Sequence, residues 1–138
     1  MTAFSGSYTA RTHSQSVVTV PDVPDHAVAL TAVSGEQKCT DPLWNGATVA
    51  FWGTTDTIAG QGTQNGYFTN AHAEGDQNQG TFQGKVTTNG SEVTAEGTWT
   101  LTGGTGRFVR VSGHGTYKLR VTSPIDAEVV WDGDYNLD

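Results

Sequence analysis

Asn70, His72 and Glu74 recur at every second position of one stretch, and Asp76 follows them. Alternate residues of a strand point the same way, so the pattern makes a row of an amide, an imidazole and carboxylates. An imidazole titrates near neutral pH and can take or give a proton. In this row His72 would be the acid or base, Asn70 would polarise a substrate oxygen, and Glu74 would orient the ring or act as an acid itself. Asp56 and Glu36 are candidate helpers, and a carboxylate held beside aromatic rings has a raised pKa and can donate a proton. Phe68 shares the face of this row, while Tyr67, Thr69, Ala71 and Ala73 form the other. The pattern leaves open which face points into the protein.

Other chemistries fit less well. Same-face residues stand roughly 6.5–7 Å apart along a strand, whereas metal ligands sit about 2.0–2.2 Å from their ion, so His72, Glu74 and Asp76 make no ready metal site. Asp132-Gly133-Asp134-Tyr135-Asn136-Leu137-Asp138 imitates the start of a calcium loop but lacks the bidentate glutamate at its twelfth position. Gly103-Gly104-Thr105-Gly106 has no following helix and no Lys-Ser or Lys-Thr pair, and reads as a tight turn and not as a phosphate cradle. Cys39 has Lys38 beside it in sequence, but strand neighbours point apart, so no base reaches the thiol. Asn89-Gly90-Ser91 matches a glycosylation acceptor, which matters only for a secreted chain.

The rings offer a second kind of site. Trp44, Trp52, Tyr67, Tyr117, Trp131 and Tyr135 are candidate substrate-binding residues, large apolar bodies that keep a polar handle. Concave, mostly apolar sites with a few placed polar groups are the usual small-molecule pockets. Trp99 reads as a core residue, and Trp44 lies in a candidate lid loop beside Asp41.

These side chains need strands to hold them. Threonine, with 22 copies, glycine, with 18, and valine, with 14, dominate the 138 residues, whereas leucine has only 5. That balance favours strands and turns over helices. Period-two alternation is clearest at Val93–Thr102, where Val93, Ala95, Gly97, Trp99 and Leu101 share a face, at His114–Val121 and at Ile125–Asp132. Earlier candidate strands are 5–12, 14–20, 26–33, 48–57, 66–74 and 80–88, and no helix is predicted. Asn89-Gly90 is a hairpin signal, and the residues 35–46 read as a long loop able to cover one barrel mouth. Eight or nine strands joined by short links predict a single all-β domain over residues 1–138, either an up-and-down antiparallel barrel or a sandwich. A closed barrel would abolish exposed sheet edges, and one of about eight strands holds side chains or one small ligand inside.

Charge narrows the partners. Seven basic against fourteen acidic residues leave a net charge of −7, which repels phosphate backbones and anionic membranes. The lone Cys39 can form no internal disulfide, Met1–Tyr8 lacks the features of a signal peptide, and no window is long and apolar enough to span a membrane. The expectation is a soluble, cytoplasmic domain.

One stretch looks familiar. Thr100-Leu101-Thr102-Gly103-Gly104-Thr105-Gly106-Arg107-Phe108 with Ser112-Gly113-His114-Gly115-Thr116-Tyr117 resembles the glycine-rich turn and flanking strands of the allene oxide cyclase and dirigent barrels. Glu74-Gly75-Asp76 and Gly80-Thr81-Phe82-Gln83-Gly84 resemble the preceding hairpin, so the likeness runs over roughly Gly66 to Tyr117. Uncharacterised bacterial barrels look nearest. The resemblance implies a closed, antiparallel, eight-stranded barrel of calycin-like form with a central cavity, a dimer or trimer, no metal and no organic cofactor. Plant relatives guide cyclisation or coupling of apolar or aromatic molecules, but their site residues do not carry over. The cyclases use a Glu and an Asn near the first strand, where this chain has Ser7, Thr9 and Arg11 on one face and Tyr8, Ala10 and Thr12 on the other. A dirigent cavity Arg falls near Lys118, which the apolar alternation turns outward.

The leading expectation is therefore a cofactor-free isomerase, cyclase or lyase acting on a small apolar or aromatic molecule, with His72, Asp56 and Glu36 as catalytic residues and Asn70 among the binding ones. Its rivals are a binding barrel without turnover and a scaffold whose interior is filled.

Overall fold

The computed structural model describes residues Met1–Asp138. Long strands dominate it: β1 (Thr2–Thr19), β2 (His26–Glu36), β4 (Thr48–Ile58), β5 (Gln61–Ala71), β6 (Gln77–Asn89), β7 (Glu92–Gly104), β8 (Ser112–Val121) and β9 (Asp126–Asn136). The two-residue β3 (Lys38–Cys39) adds to β1. Neighbours pair antiparallel in the order β2-β4-β5-β6-β7-β8-β9-β1, and β1 pairs with β2 to close the circle. The result is the expected closed, eight-stranded antiparallel barrel, an arrangement that removes most sheet edges. A single 3-10 turn, Gly106–Phe108, interrupts the β7–β8 link.

The candidate strands 5–12 and 14–20 are halves of one strand. A bulge between Thr12 and Ser14 shifts the register of β1 against β2, and the extra residue flips the alternation that marks a strand in sequence. β5 begins at Gln61 rather than near 66, after a tight turn at Ala59 and Gly60, both with positive φ. At the β6–β7 hairpin Asn89 pairs with Glu92, so Gly90 and Ser91 make the turn, and Gly90 has the positive φ of 64°.

Large rings fill the barrel by lying over inward-facing glycines. Gly115 faces Trp99 on one side and Gly133 on the other, and a Cβ at Gly115 would stand 2.5 Å from the Trp99 ring. The indole thus takes the space that two absent side chains leave. Trp99 packs edge-on against Trp131 and Phe4, at ring separations of 5.9 and 5.8 Å.

The two barrel ends differ. At one end, segment 41–47 folds inward and seats Trp44 over the opening, where Phe108 and Tyr135 pack against it. Asp41 holds this plug: its backbone carbonyl accepts from the amides of Trp44 and Asn45, and its carboxylate accepts from Tyr135 Oη at 2.5 Å. That contact and burial push the Tyr135 phenol up to about 12, burial being the larger cause. The other end, at the β1–β2, β4–β5, β6–β7 and β8–β9 links, is an open vestibule of about 340 Å³ lined by threonines such as Thr31, Thr57 and Thr94 among apolar residues. The molecule is a cup with one mouth.

Candidate ligand chamber

Between plug and vestibule lies a chamber of about 80 Å³. Phe4, Phe68, Trp99 and Trp131 form its walls and Trp44 with Asn70 its floor. Phe51, Gln64, Phe82 and Leu119 line both chamber and vestibule and so form the neck between them. The chamber lining holds no carboxylate, no imidazole, no amine and no thiol. Its titratable groups are the phenols of Tyr8 and Tyr117, both held above their ordinary pKa by burial, Tyr8 additionally by its proximity to Tyr117. They are neutral at physiological pH and act as hydrogen-bond donors, not as bases. Tyr117 Oη donates to Gln64 Oε1 at 2.5 Å. The Tyr8 hydroxyl makes no hydrogen bond within the chain. The indole N–H of Trp44 is buried without a partner.

His72 lies behind the floor. It is 8% exposed and does not line the chamber. Its ring stacks on Phe108 at 4.4 Å and meets Trp44 edge-on at 5.3 Å. Nδ1 is 3.1 Å from the Leu43 carbonyl, which can only accept, so Nδ1 carries the proton. Nε2 then accepts from Asn78 Nδ2 at 2.8 Å. The bonds continue: Asn70 donates to Asn78 Oδ1, Gln37 to Asn70 Oδ1, and Trp131 Nε1 to Gln37 Oε1. Both imidazole nitrogens are occupied within the plug, and burial, the main cause, lowers the His72 pKa below its ordinary value.

The other sequence candidates divide between lumen, plug and outer wall. Asn70, Tyr117 and Trp131 line the chamber with Trp44, whereas Tyr135 is buried in the plug. Trp52 and Tyr67, expected to clamp a ligand inside, stand on the outer wall, 45% and 68% exposed. Phe51 and Phe68 have the inward positions beside them, because alternate residues of one strand face opposite ways. Glu36 is exposed at the end of β2, one residue out of phase with the buried Gln37. Glu74 is exposed in the β5–β6 link, and Asp76 accepts from Arg107 Nε at 2.8 Å, a bond that lowers its carboxyl pKa. The proposed row of Asn70, His72, Glu74 and Asp76 therefore breaks where β5 ends at Ala71. No three His, Cys, Asp or Glu side chains converge as metal ligands do. The Asp132–Asn136 segment is strand and not a calcium loop. Burial raises the pKa of the half-buried Cys39 thiol.

Asp56 is likewise outside, tied to His26. His26 Nε2 donates to Asp56 Oδ1 and Nδ1 to Asp22 Oδ1, each at 2.6 Å. Only an imidazolium donates from both nitrogens. The bonds to Asp22, first, and Asp56 raise the His26 pKa above 6.5, and His26 in turn lowers the Asp22 pKa. A raised folded-state pKa stabilises below the unfolded value, and that contribution disappears as pH rises through the folded one. Asp22 works oppositely, contributing above its unfolded value and failing as pH falls through its depressed one. The staple that ties the β1–β2 link to β4 is thus whole between the lowered Asp22 pKa and the raised His26 pKa. An NMR titration of His26 is expected to show a midpoint above 6.5 that Asp56→Asn lowers. A midpoint at or below 6.5 would contradict the staple.

Tyr8, Gln64, Phe51 and Phe82 were not singled out from the sequence. A signal was present, since Gly62, Gln64, Gly66 and Phe68 alternate small with large on one face, as do Phe4, Gly6, Tyr8 and Ala10. Gln37 and Asn78 gave no such signal, because their meaning lies in contacts between distant strands.

No known family profile matches the sequence, and no curated protein matches it. Among solved structures, the pterocarpan synthase dirigent protein GePTS1 is similar, with a TM-score of 0.58 at 14% identity over 98% of this chain and 85% of that one. The barrel is a dirigent-like fold. This likeness is one of fold and does not reach the narrower bacterial grouping that the sequence suggested. No helix is long and apolar enough to cross a membrane.

Proposed function

We propose that the protein binds a small apolar or aromatic molecule in its barrel without converting it. The observation that carries this reading is the chemistry of the chamber: apolar walls, phenols kept neutral, and no group that exchanges a proton near pH 7. The general acid–base reaction expected at His72 needs an imidazole within hydrogen-bond reach of a substrate, and His72 is spent in the plug. The chamber alone is smaller than the few hundred Å³ of a drug-sized pocket. A ring would therefore sit in the chamber while the rest of the ligand occupied the vestibule. The unpaired Tyr8 hydroxyl and the Gln64 amide favour a ligand bearing a hydroxyl, ether or carbonyl oxygen.

The test uses 2-naphthol as probe and the fluorescence of Trp99 and Trp131 as reporter. Saturable quenching is expected, with the probe recovered unchanged. Leu119→Trp should obstruct the neck and weaken binding at least tenfold. Tyr8→Phe removes one hydrogen bond, worth about 0.5–1.5 kcal/mol, and should weaken binding roughly two- to tenfold. Affinity unchanged in both variants, with each still folded, would place the probe elsewhere and overturn the reading.

A further inference from the structure

The outer wall carries two large rings that the barrel does not need. Trp52 and Tyr67 are cross-strand partners on β4 and β5, they point away from the core, and neither packs against another aromatic ring. Beside them runs a groove of about 530 Å³, within the usual size of a small-molecule site. Two registered rows build it. One is Trp52, Tyr67, Thr81 and Thr100, and the next is Leu30, Thr54, Asn65, Gln83 and Thr98. None of the lining residues is charged, in a chain of net charge −7.

This combination selects a ligand class. An anion or cation would find no counter-charge in the groove. A purely apolar molecule would strip water from the surrounding hydroxyls and amides without replacing their hydrogen bonds, which is costly. A pyranose meets both demands. Its C–H face lies on an aromatic ring, whose electron-rich face attracts the polarised hydrogens, while its equatorial hydroxyls reach the flanking rows. Thr, Asn and Gln both donate and accept, as sugar hydroxyls do. Thr54 Oγ1 is already engaged with the Asn65 carbonyl, whereas the side chains of Asn65, Thr81, Gln83, Thr98 and Thr100 are free of bonds within the chain. We propose that the groove beside Trp52 and Tyr67 is a binding site for a neutral saccharide, separate from the barrel interior. Its concavity and the Thr, Asn and Gln side chains that flank the two rings favour such a ligand over a second copy of the chain, whose interface would need a broader apolar centre.

Isothermal titration of the intact protein with cellohexaose, maltohexaose and mannohexaose tests this. Binding of at least one is expected, with a change in Trp52 emission. Trp52→Ala and Tyr67→Ala, both on the surface, should each weaken it at least tenfold. Trp52→Phe should retain part of it, and quenching by 2-naphthol should be unaltered in all three variants. The proposal is overturned by an absence of binding to all three sugars at millimolar concentration, or by unchanged affinity in both alanine variants. Sedimentation showing a dimer that Trp52→Ala makes monomeric would also overturn it, since the face would then belong to self-association.

Discussion

Replacing Phe108 by alanine is expected to lower the unfolding free energy by about 3–5 kcal/mol, the usual cost of truncating a fully buried phenylalanine. For a chain of this length that corresponds to a fall in Tm of roughly 10–20 °C. Phe108 is 0% exposed and is the common neighbour of Trp44 and the His72 imidazole. Its loss leaves a void beside both rings, and the two can collapse only by abandoning the bonds that fix them, His72 to the Leu43 carbonyl and the Asp41 turn under Trp44. The barrel floor should loosen with it, so 2-naphthol should bind more weakly even where the variant remains folded. Phe108→Leu, which keeps most of the volume, should lose far less. Thermal unfolding of the two variants checks the prediction, and a loss below about 1 kcal/mol for Phe108→Ala would mean that Phe108 does not hold the floor.

The same short segment shows where sequence reading succeeds and where it stops. Strand faces were legible at β7, β8 and β9 because each strand is half-buried and each carries one unbroken alternation, such as Val93, Ala95, Gly97, Trp99 and Leu101. Many such runs joined by short turns left a barrel or a sandwich, and the glycine-rich resemblance pointed to the barrel. β1 was divided because a single bulge at His13 reverses the phase of everything after it. The site was harder to read. Asn70 and His72 are both buried, but β5 ends between them at Ala71, and what an imidazole does depends on who bonds to it. Its partners Leu43 and Asn78, and beyond them Gln37 and Trp131, come from separate parts of the chain. Trp52 and Tyr67 illustrate the converse. Aromatic type alone suggested an interior, but in their strands Phe51 and Phe68 hold the inward positions.

The second large effect is expected at Asn78, which is 0% exposed and stands at the centre of the plug's polar chain. Trp131 Nε1 can only donate at one end and the Leu43 carbonyl can only accept at the other, so every bond between them has a fixed direction. A proton added at His72 Nε2 would confront the Asn78 amide NH₂. Flipping Asn78 would set its NH₂ against that of Asn70, flipping Asn70 would set NH₂ against that of Gln37, and flipping Gln37 would set it against the Trp131 N–H. The chain cannot absorb the proton, which adds to burial as a reason for His72 to remain neutral. Its lowered pKa makes the folded state most favoured above about 6.5, and that advantage is lost as pH falls from the unfolded value through the depressed folded one. Asn78→Ala should strand Asn70 Nδ2 and His72 Nε2, at about 1–3 kcal/mol for each unpaired buried group. Asn78→Asp keeps the shape but offers a second acceptor in place of the NH₂. It can take a hydrogen bond from a protonated His72 while still accepting from Asn70, so the His72 pKa should rise above 6.5 and the pH dependence at this site should reverse. NMR titration of His72 in the wild type and in Asn78→Asp, with urea unfolding at pH 5 and pH 8, measures both effects. A His72 midpoint that does not rise in the aspartate variant would show that the direction of the chain does not govern the imidazole.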